Sequence, residues 1–385
     1  MRFAIISPSD FTVVLCCKWI IKLLNKKGHC LYIISPKSKD EYFYNLISKL
    51  NVNFIEIKMN RHLNIFDDIS YLFELYKILK REKIDISISV CTKPNLYSPI
   101  AAKLANVKKI IISVWGRGTV FLDDNSIKLI LMRFIILLLY KISFIFSNKV
   151  WFTNKHDLNY FKSKNMLSKD KIIITPNYID SDEFKPFEMN IKDKISYIEK
   201  LKFNENDFIV ILVGRMIFSK GIKEFIEASL LVNKIYTHVK FILVGPEEIN
   251  NPDAIPTNYL LKLREYSHIK WLGFRKDIKE LYSISKIAVL PSYYPEGGYP
   301  RTITEPMSMG KAVIAANTEN CKGPINDNHN GLLVEPRDSN ALSKKIISLI
   351  SNPKKLDYLG KNARKTITEN FDEKKIIKKL IDKFE

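Results

Sequence analysis

The chain alternates between short, uniformly apolar runs and longer segments that are apolar on one side only. The short runs are rich in β-branched residues and have strand length: "FAIIS" (3–7), "CLYIIS" (30–35), "VNFIEI" (52–57), "IDISISV" (84–90), "KIIISV" (109–114), "KVWFT" (149–153) and "KIIIT" (171–175). Segments between them have helical periodicity, as in 67–83, where Ile69, Leu72, Phe73, Tyr76 and Leu79 line up as an apolar stripe. Apolar strands alternating with amphipathic helices predict parallel sheets covered on both faces.

The alternation breaks at "NYIDSDEFKPFEMNIKDK" (177–194), a polar stretch that follows Pro176, contains Pro186 and reads as a linker. It resumes with "FIVILVG" (208–214), "VKFILVG" (239–245), "IKWLG" (269–273), "KIAVLPS" (286–292), "KAVIAA" (311–316) and "GLLVEP" (331–336). The prediction is an α/β protein of two Rossmann-like, doubly wound parallel-sheet domains, 1–185 and 186–370. A C-terminal helix, 371–385, crosses back to the first domain. Ligands in such sheets bind beyond the carboxyl ends of the strands, which places the expected site in a cleft between the two.

One segment, "SIKLILMRFIILLLYKISFIFSNK" (126–149), is strongly apolar yet interrupted by Lys128, Arg133 and Lys141. It is either a buried helix of the first domain or a monotopic helix lying in a membrane interface. The charge sharpens that choice without deciding it. The net charge is +20, of which residues 1–185 carry +13, so this half attracts polyanions: nucleic acid, anionic lipid or diphosphate-bearing substrates. No helix-turn-helix, finger or aromatic-studded RNA-binding strand accompanies the charge, which argues against nucleic acid. The start "MRFAIISPSD" lacks the long apolar region and cleavage site of a secretory signal. Cys16, Cys17, Cys30, Cys91 and Cys321 form no CxxC pair and are expected as free thiols in a reducing cytoplasm.

Two stretches carry candidate chemistry. In "VGRMIFSKG" (213–221) a strand ends, Gly214 turns, and Arg215 and Lys220 follow five residues apart before Gly221 opens a helix. Two cations at a strand's carboxyl end beside a helix N-terminus can clamp a diphosphate, or they simply flank a surface loop. In "PSYYPEGGYPRTITEPMSMGKAVIA" (291–315), Gly297 and Gly298 let the backbone approach a ligand and aim its N–H groups inward. Pro306 suits a first helical turn, so a helix is expected to start near Ile303–Glu305, with Glu305 at its start. From there Glu305 can accept hydrogen bonds from ribose hydroxyls or merely satisfy the helix dipole, while Glu296 can meet sugar hydroxyls.

"GRMIFSKG", "EGGYPRTITEPMSMGKAVIA" and "HNGLLVEP" follow one another in the order of the retaining glycosyltransferases of family four, which the chain resembles. That family has the two-Rossmann-domain GT-B fold. In the first half, "RHLNIFDDISYLFELYKILKREKIDI", "TKPNLYSPIAAKLANVKKIII" and "WGRGTVF" resemble bacterial transferases that extend polyprenyl-diphosphate-linked saccharides for O-antigen, capsule or N-glycan assembly. The resemblance spans essentially the whole chain and is weakest at 186–206 and 246–266.

The resemblance implies catalytic roles for Arg215, Lys220 and Glu296. It implies donor binding by Gly214, Gly297, Gly298, Tyr299, Arg301 and Glu305, and an acceptor side built from Lys93, Asn95, Trp115, Gly116, Arg117 and Gly118. It further implies a nucleotide-diphosphate sugar as donor, with UDP expected, and a polyprenyl-diphosphate-linked acceptor at an anionic membrane surface. The sugar would be an N-acetylhexosamine or hexose transferred with retention, by an enzyme peripheral to the inner face of the cell membrane. No cofactor or divalent metal is expected: the Asp-x-Asp of metal-dependent transferases has a formal match in "DSD" (180–182), but this lies in the linker.

Three departures stand out. Glu296 and Glu305 are separated by eight residues where the family has seven; Trp115 occupies a position that is histidine in many relatives; and "SPSDFT" (7–12), the candidate acceptor-side loop, lacks their Gly-Gly. A GT-B sugar-nucleotide enzyme such as an epimerase, and a transferase with a non-lipid acceptor, are the alternative readings.

Overall fold

The strands form where the β-branched runs place them. In the first unit they are β1 (Arg2–Ile6), β2 (Cys30–Ser35), β3 (Asn53–Glu56), β4 (Ile86–Val90), β5 (Lys109–Val114), β6 (Lys149–Phe152) and β7 (Ile172–Ile174). All are parallel, in the order β3-β2-β1-β4-β5-β6-β7. The second unit has β8 (Phe208–Val213), β9 (Val239–Val244), β10 (Ile269–Trp271), β11 (Ile287–Leu290), β12 (Ala312–Ala316) and β13 (Leu332–Val334). These are again parallel, in the order β10-β9-β8-β11-β12-β13. This computed structural model describes residues 1–38, 41–60, 64–116, 119–121, 127–249, 251–294, 296, 298–381 and 383–384.

The units are Met1–Asn177 with Lys374–Glu385, and Tyr178–Glu373. The units therefore divide at 177/178 and 373/374, where 185/186 and 370/371 were expected, and the stretch read as an interdomain linker, 177–194, belongs from Tyr178 onward to the second unit. Ile179 and Asp372 form a parallel bridge, with Ile179 N–H donating to Phe371 O at 3.0 Å and Glu373 N–H to Ile179 O at 2.9 Å. Arg364 Nη1 donates to Ser181 O at 2.8 Å, and residues Ile191–Lys200 are helical. The "DSD" triplet closes a turn: Asp180 Oδ1 accepts from the Asp182 and Glu183 N–H groups at 3.1 and 2.9 Å. After helix Glu373–Ile381 the chain packs in the first unit, where Phe384 is fully buried with its ring centroid 5.9 Å from that of Trp151.

Both faces of each sheet are covered. In the second unit Phe225 and Phe241 pack on one side, and Ile303, Met307 and Ala363 on the other. In the first unit three helices lie side by side: Ile65–Arg81, Thr92–Leu104 and Ile127–Phe146. The first is phased differently from the stripe read in the sequence. It buries Asp68, Tyr71, Leu75, Ile78 and Leu79, leaving Ile69 and Phe73 more than half exposed. Apolar residues cover most of this helix's circumference, so periodicity alone could not select the packed face. Asp68 is tolerated inside because the Lys93 ammonium lies 2.5 Å from Oδ1 and the Tyr97 hydroxyl donates to Oδ2 at 2.8 Å.

Helix Ile127–Phe146 is buried on one face and exposed on the other. Ile136, Tyr140, Ser143 and Phe144 are buried, and the Ser143 hydroxyl donates to Leu96 O at 2.8 Å. Ile127, Ile130, Leu131, Phe134, Ile135, Leu138 and Ile145 are all exposed. By length and composition it could cross a membrane, but one face belongs to the protein core.

Candidate active site

Strands β8 and β11 are neighbours in the sheet although two strands separate them in sequence, so the connections diverge at this pair. In a doubly wound sheet that divergence opens a crevice at the strands' carboxyl ends. The two chemically loaded stretches leave the sheet here: 214–221 follows β8 and 291–298 follows β11.

The backbone locks the two loops together. Gly221 adopts φ +75°, and a Cβ on it would lie 2.5 Å from Pro291 O, so a side chain would push the loops apart. Ser219 N–H donates to Asp253 Oδ2 at 3.0 Å, and its hydroxyl donates to the same oxygen. Ser219 O in turn accepts from the N–H groups of Tyr293 and Tyr294 at 2.8 and 2.9 Å. The tight approach beside Gly214 is made by Gly245, whose added Cβ would fall 1.7 Å from Gly214 O; a Cβ on Gly214 itself would make only ordinary contacts.

This frame brings Arg215 and Lys220 together over one aromatic ring: the Arg215 Cζ lies 5.1 Å and the Lys220 Nζ 5.3 Å from the Tyr294 ring centroid. The Lys220 ammonium pairs directly with Glu296 Oε1, to which the Ser292 hydroxyl also donates at 2.9 Å. Arg215 Nη1 stands 3.5 Å from Glu248 Oε2. Burial works against the Arg215 charge, but Tyr294, Glu248 and Glu296 outweigh it and hold the guanidinium above its ordinary range. The Asn320 amide donates to Glu296 O, fixing the backbone before the glycines.

The helix carrying Glu305 runs Arg301–Ser308 with Pro300 as N-cap, and so begins earlier than Pro306 suggested. Glu305 sits in its second turn, where Arg301 Nε donates to Oε1 at 2.8 Å. Burial raises the Glu305 pKa, and the Arg301 charge opposes that shift. Arg301 is thus held by Glu305. Tyr299 packs inward: its ring centroid is 5.6 Å from that of Phe371, and a Cβ on Gly323 would fall 1.9 Å from its Cε1. Gly298 adopts φ +102°, a backbone conformation that favours glycine; Gly297 lies outside the described residues.

The first unit distributes the acceptor-side candidates unevenly. Lys93, beyond its pairing with Asp68, donates to Asn60 O at 2.6 Å. Asn95 is completely buried: it accepts from the Ser89 hydroxyl at 2.8 Å and donates to Ser113 O at 2.7 Å. It clasps the ends of β4 and β5 and offers no face to a ligand. Trp115 is half-buried at the end of β5, edge-on to Trp151 at 5.9 Å, and its indole N–H has no partner among the described residues. Gly116 has φ +115°, while Arg117 and Gly118 lie outside the described residues. The stretch 7–12, expected as a loop, already enters the helix Asp10–Cys16 at Asp10, which is buried and accepts from Ser38 N–H and its hydroxyl at 2.9 and 2.8 Å.

Sequence reading missed Tyr294, Glu248, Asp253 and Asn320. Tyr294 stands two residues before Glu296 and could have been suspected from that; nothing in the sequence ties the other three to the loops they hold.

"Glycosyl transferases group 1" matches residues 193–366 and "Glycosyl transferase 4-like" matches residues 6–154. The chain is 30% identical over 346 residues to the N,N'-diacetylbacillosaminyl-diphospho-undecaprenol alpha-1,3-N-acetylgalactosaminyltransferase of Campylobacter jejuni, covering 89% of this chain and 88% of that protein. It is 28% identical over 332 residues to the UDP-Gal:alpha-D-GlcNAc-diphosphoundecaprenol alpha-1,3-galactosyltransferase of Escherichia coli, covering 84% and 80%. Among solved structures, Anabaena HepE in complex with UDP-glucose superposes with a TM-score of 0.80 at 20% identity, covering 100% of this chain and 99% of that one. A glycosyltransferase from Rickettsia africae gives a TM-score of 0.78 at 24% identity, covering 100% and 97%. The chain therefore belongs to the glycosyltransferases, with the GT-B fold.

Proposed function

We propose that this glycosyltransferase moves a sugar from a nucleotide-diphosphate donor, UDP in the first instance, onto a polyprenyl-diphosphate-linked saccharide, retaining the anomeric configuration and needing no divalent metal. One observation carries the reading most: Arg215 and Lys220 converge over Tyr294 at the switch point of the second sheet. The relatives acting on undecaprenyl-diphosphate-linked sugars support the acceptor class.

In the reaction the bond between the anomeric carbon and the β-phosphate oxygen breaks. An acceptor hydroxyl oxygen forms its bond to the same face of that carbon, and the acceptor's proton passes to the departing phosphate oxygen. Negative charge grows on the diphosphate as the bond opens, and the two cations are placed to meet it. Loss of one such donor costs ~2.7–4 kcal/mol of barrier, about 10²- to 10³-fold in rate. Arg215→Ala and Lys220→Ala should each lower turnover by that order with UDP-sugars and a lipid-diphosphate saccharide. Turnover within a few-fold of the unsubstituted enzyme would remove the clamp from the mechanism. Activity abolished by EDTA would do the same for metal independence.

Peripheral attachment to the inner face of the membrane is part of the same proposal. The exposed apolar face of helix Ile127–Phe146 and the +13 charge of residues 1–185 suit an anionic bilayer surface, where a lipid-linked acceptor resides.

A further inference from the structure

Tyr294 contacts both members of the cation pair, yet none of the steps above uses it. Bringing Arg215 and Lys220 within reach of one ligand sets two like charges against each other, and something must hold them there. Each has an anionic neighbour, Glu248 for Arg215 and Glu296 for Lys220. A carboxylate, however, neutralises the charge it holds, so a diphosphate must compete with it. An aromatic face attracts a cation through its quadrupole and leaves the charge available.

We propose that Tyr294 is a positioning residue of the diphosphate clamp: its ring face holds the Arg215 guanidinium and the Lys220 ammonium in one place, whichever anion pairs with them. This rests on the reading that the two cations receive the donor diphosphate. Three features support it. Both cations lie at the distances of a cation–π contact, 5.1 and 5.3 Å from the same centroid. The main chain that carries the ring is fixed, because Tyr294 N–H donates to Ser219 O at 2.9 Å and Ser219 is tied to Asp253. Lys220 itself belongs to the short 3₁₀ turn Phe218–Lys220 that includes Ser219, so ring and ammonium share one anchor.

The test is calorimetric titration of the full chain with UDP and with UMP, which differ by the phosphate the clamp would grip. The unsubstituted protein should prefer UDP, and the Arg215→Ala/Lys220→Ala pair should lose that preference. Tyr294→Phe, which keeps the ring, should retain it within ~3-fold; Tyr294→Leu should weaken UDP about 10-fold or more while UMP binding stays put. On the doubly substituted background Tyr294→Leu should change nothing further. Where the leucine variant does not fold, Tyr294→Met replaces it.

A Tyr294→Leu protein that kept its UDP-over-UMP preference would overturn the proposal. Equal losses in the phenylalanine and leucine variants would also overturn it, since the hydroxyl would then be responsible. If the unsubstituted protein showed no such preference, or the doubly substituted one kept it, the clamp reading itself would fall and this inference with it.

Discussion

Lys220 and Glu296 pair directly in a largely buried setting, so any anion that takes up Lys220 does so at the expense of this contact. Glu296→Gln removes that competitor. UDP should bind a few-fold more tightly to this variant, by less than about 1.4 kcal/mol, while sugar transfer should fall on the proposal that this carboxylate meets the sugar hydroxyls. Titration alongside turnover checks both; weaker UDP binding would mean that Glu296 supports the nucleotide and does not compete with it. Lys311 gives a pH prediction in the same unit. Burial, the first cause, and the nearby Lys286 and Lys194 lower its pKa to about 8, and its ammonium donates to Ser283 O at 2.8 Å. A lysine depressed in the folded state contributes stability that is complete above its unfolded value near 10.5 and is lost as pH falls through about 8. Lys311→Met should therefore raise the melting temperature at pH 7, by an effect on the order of 1 kcal/mol, and gain less at pH 10. Equal gains at both pH values would show that the buried charge is not the cause.

At the scale of elements, helix Ile127–Phe146 has one apolar face packed in the core and another exposed, the latter proposed to meet the membrane. Replacing Leu131 and Phe134 by glutamate should leave the melting temperature nearly unchanged and abolish sedimentation with vesicles containing anionic lipid at low salt. Ile136→Ala on the packed face should instead cost about 2–5 kcal/mol of stability and leave vesicle binding intact. If neither protein bound vesicles, the exposed face would need another partner. The helix Arg301–Ser308 shows how one residue can mislead. Pro306 pointed to a helix start at 303–305, and that placement hid the i,i+4 pairing of Arg301 with Glu305. Once the helix begins at Arg301 the pair is plain in the sequence, because residues four apart share a helix face. Asn95 misled differently: it lies in a stretch resembling the acceptor side, yet its amide is consumed in joining β4 to β5.

At the scale of the whole chain, the C-terminal segment is covalently the end of the second unit and structurally part of the first. Phe384→Ala should lower the melting temperature of the first unit, with a cost of about 3–5 kcal/mol, because Phe384 is fully buried near Trp151. UDP titration should be unaffected, since Arg215, Lys220 and Tyr294, the proposed clamp, all lie within Tyr178–Glu373. A parallel loss of UDP binding would show that the two units fold as one cooperative body.

The sequence by itself determined the strands, the parallel two-domain architecture and the two loops that carry the cations and carboxylates. Strands buried on both faces leave long β-branched runs, and doubly wound sheets fix where their loops emerge, so local pattern suffices for these. Tertiary structure alone decided which face of Ile65–Arg81 is packed, and that Lys220 meets Glu296 across 76 residues. It also decided that Tyr294 lies beneath both cations. Those outcomes depend on distances between segments remote in the chain. A single sequence records which side chains are present, and only packing sets which charge lies against which ring.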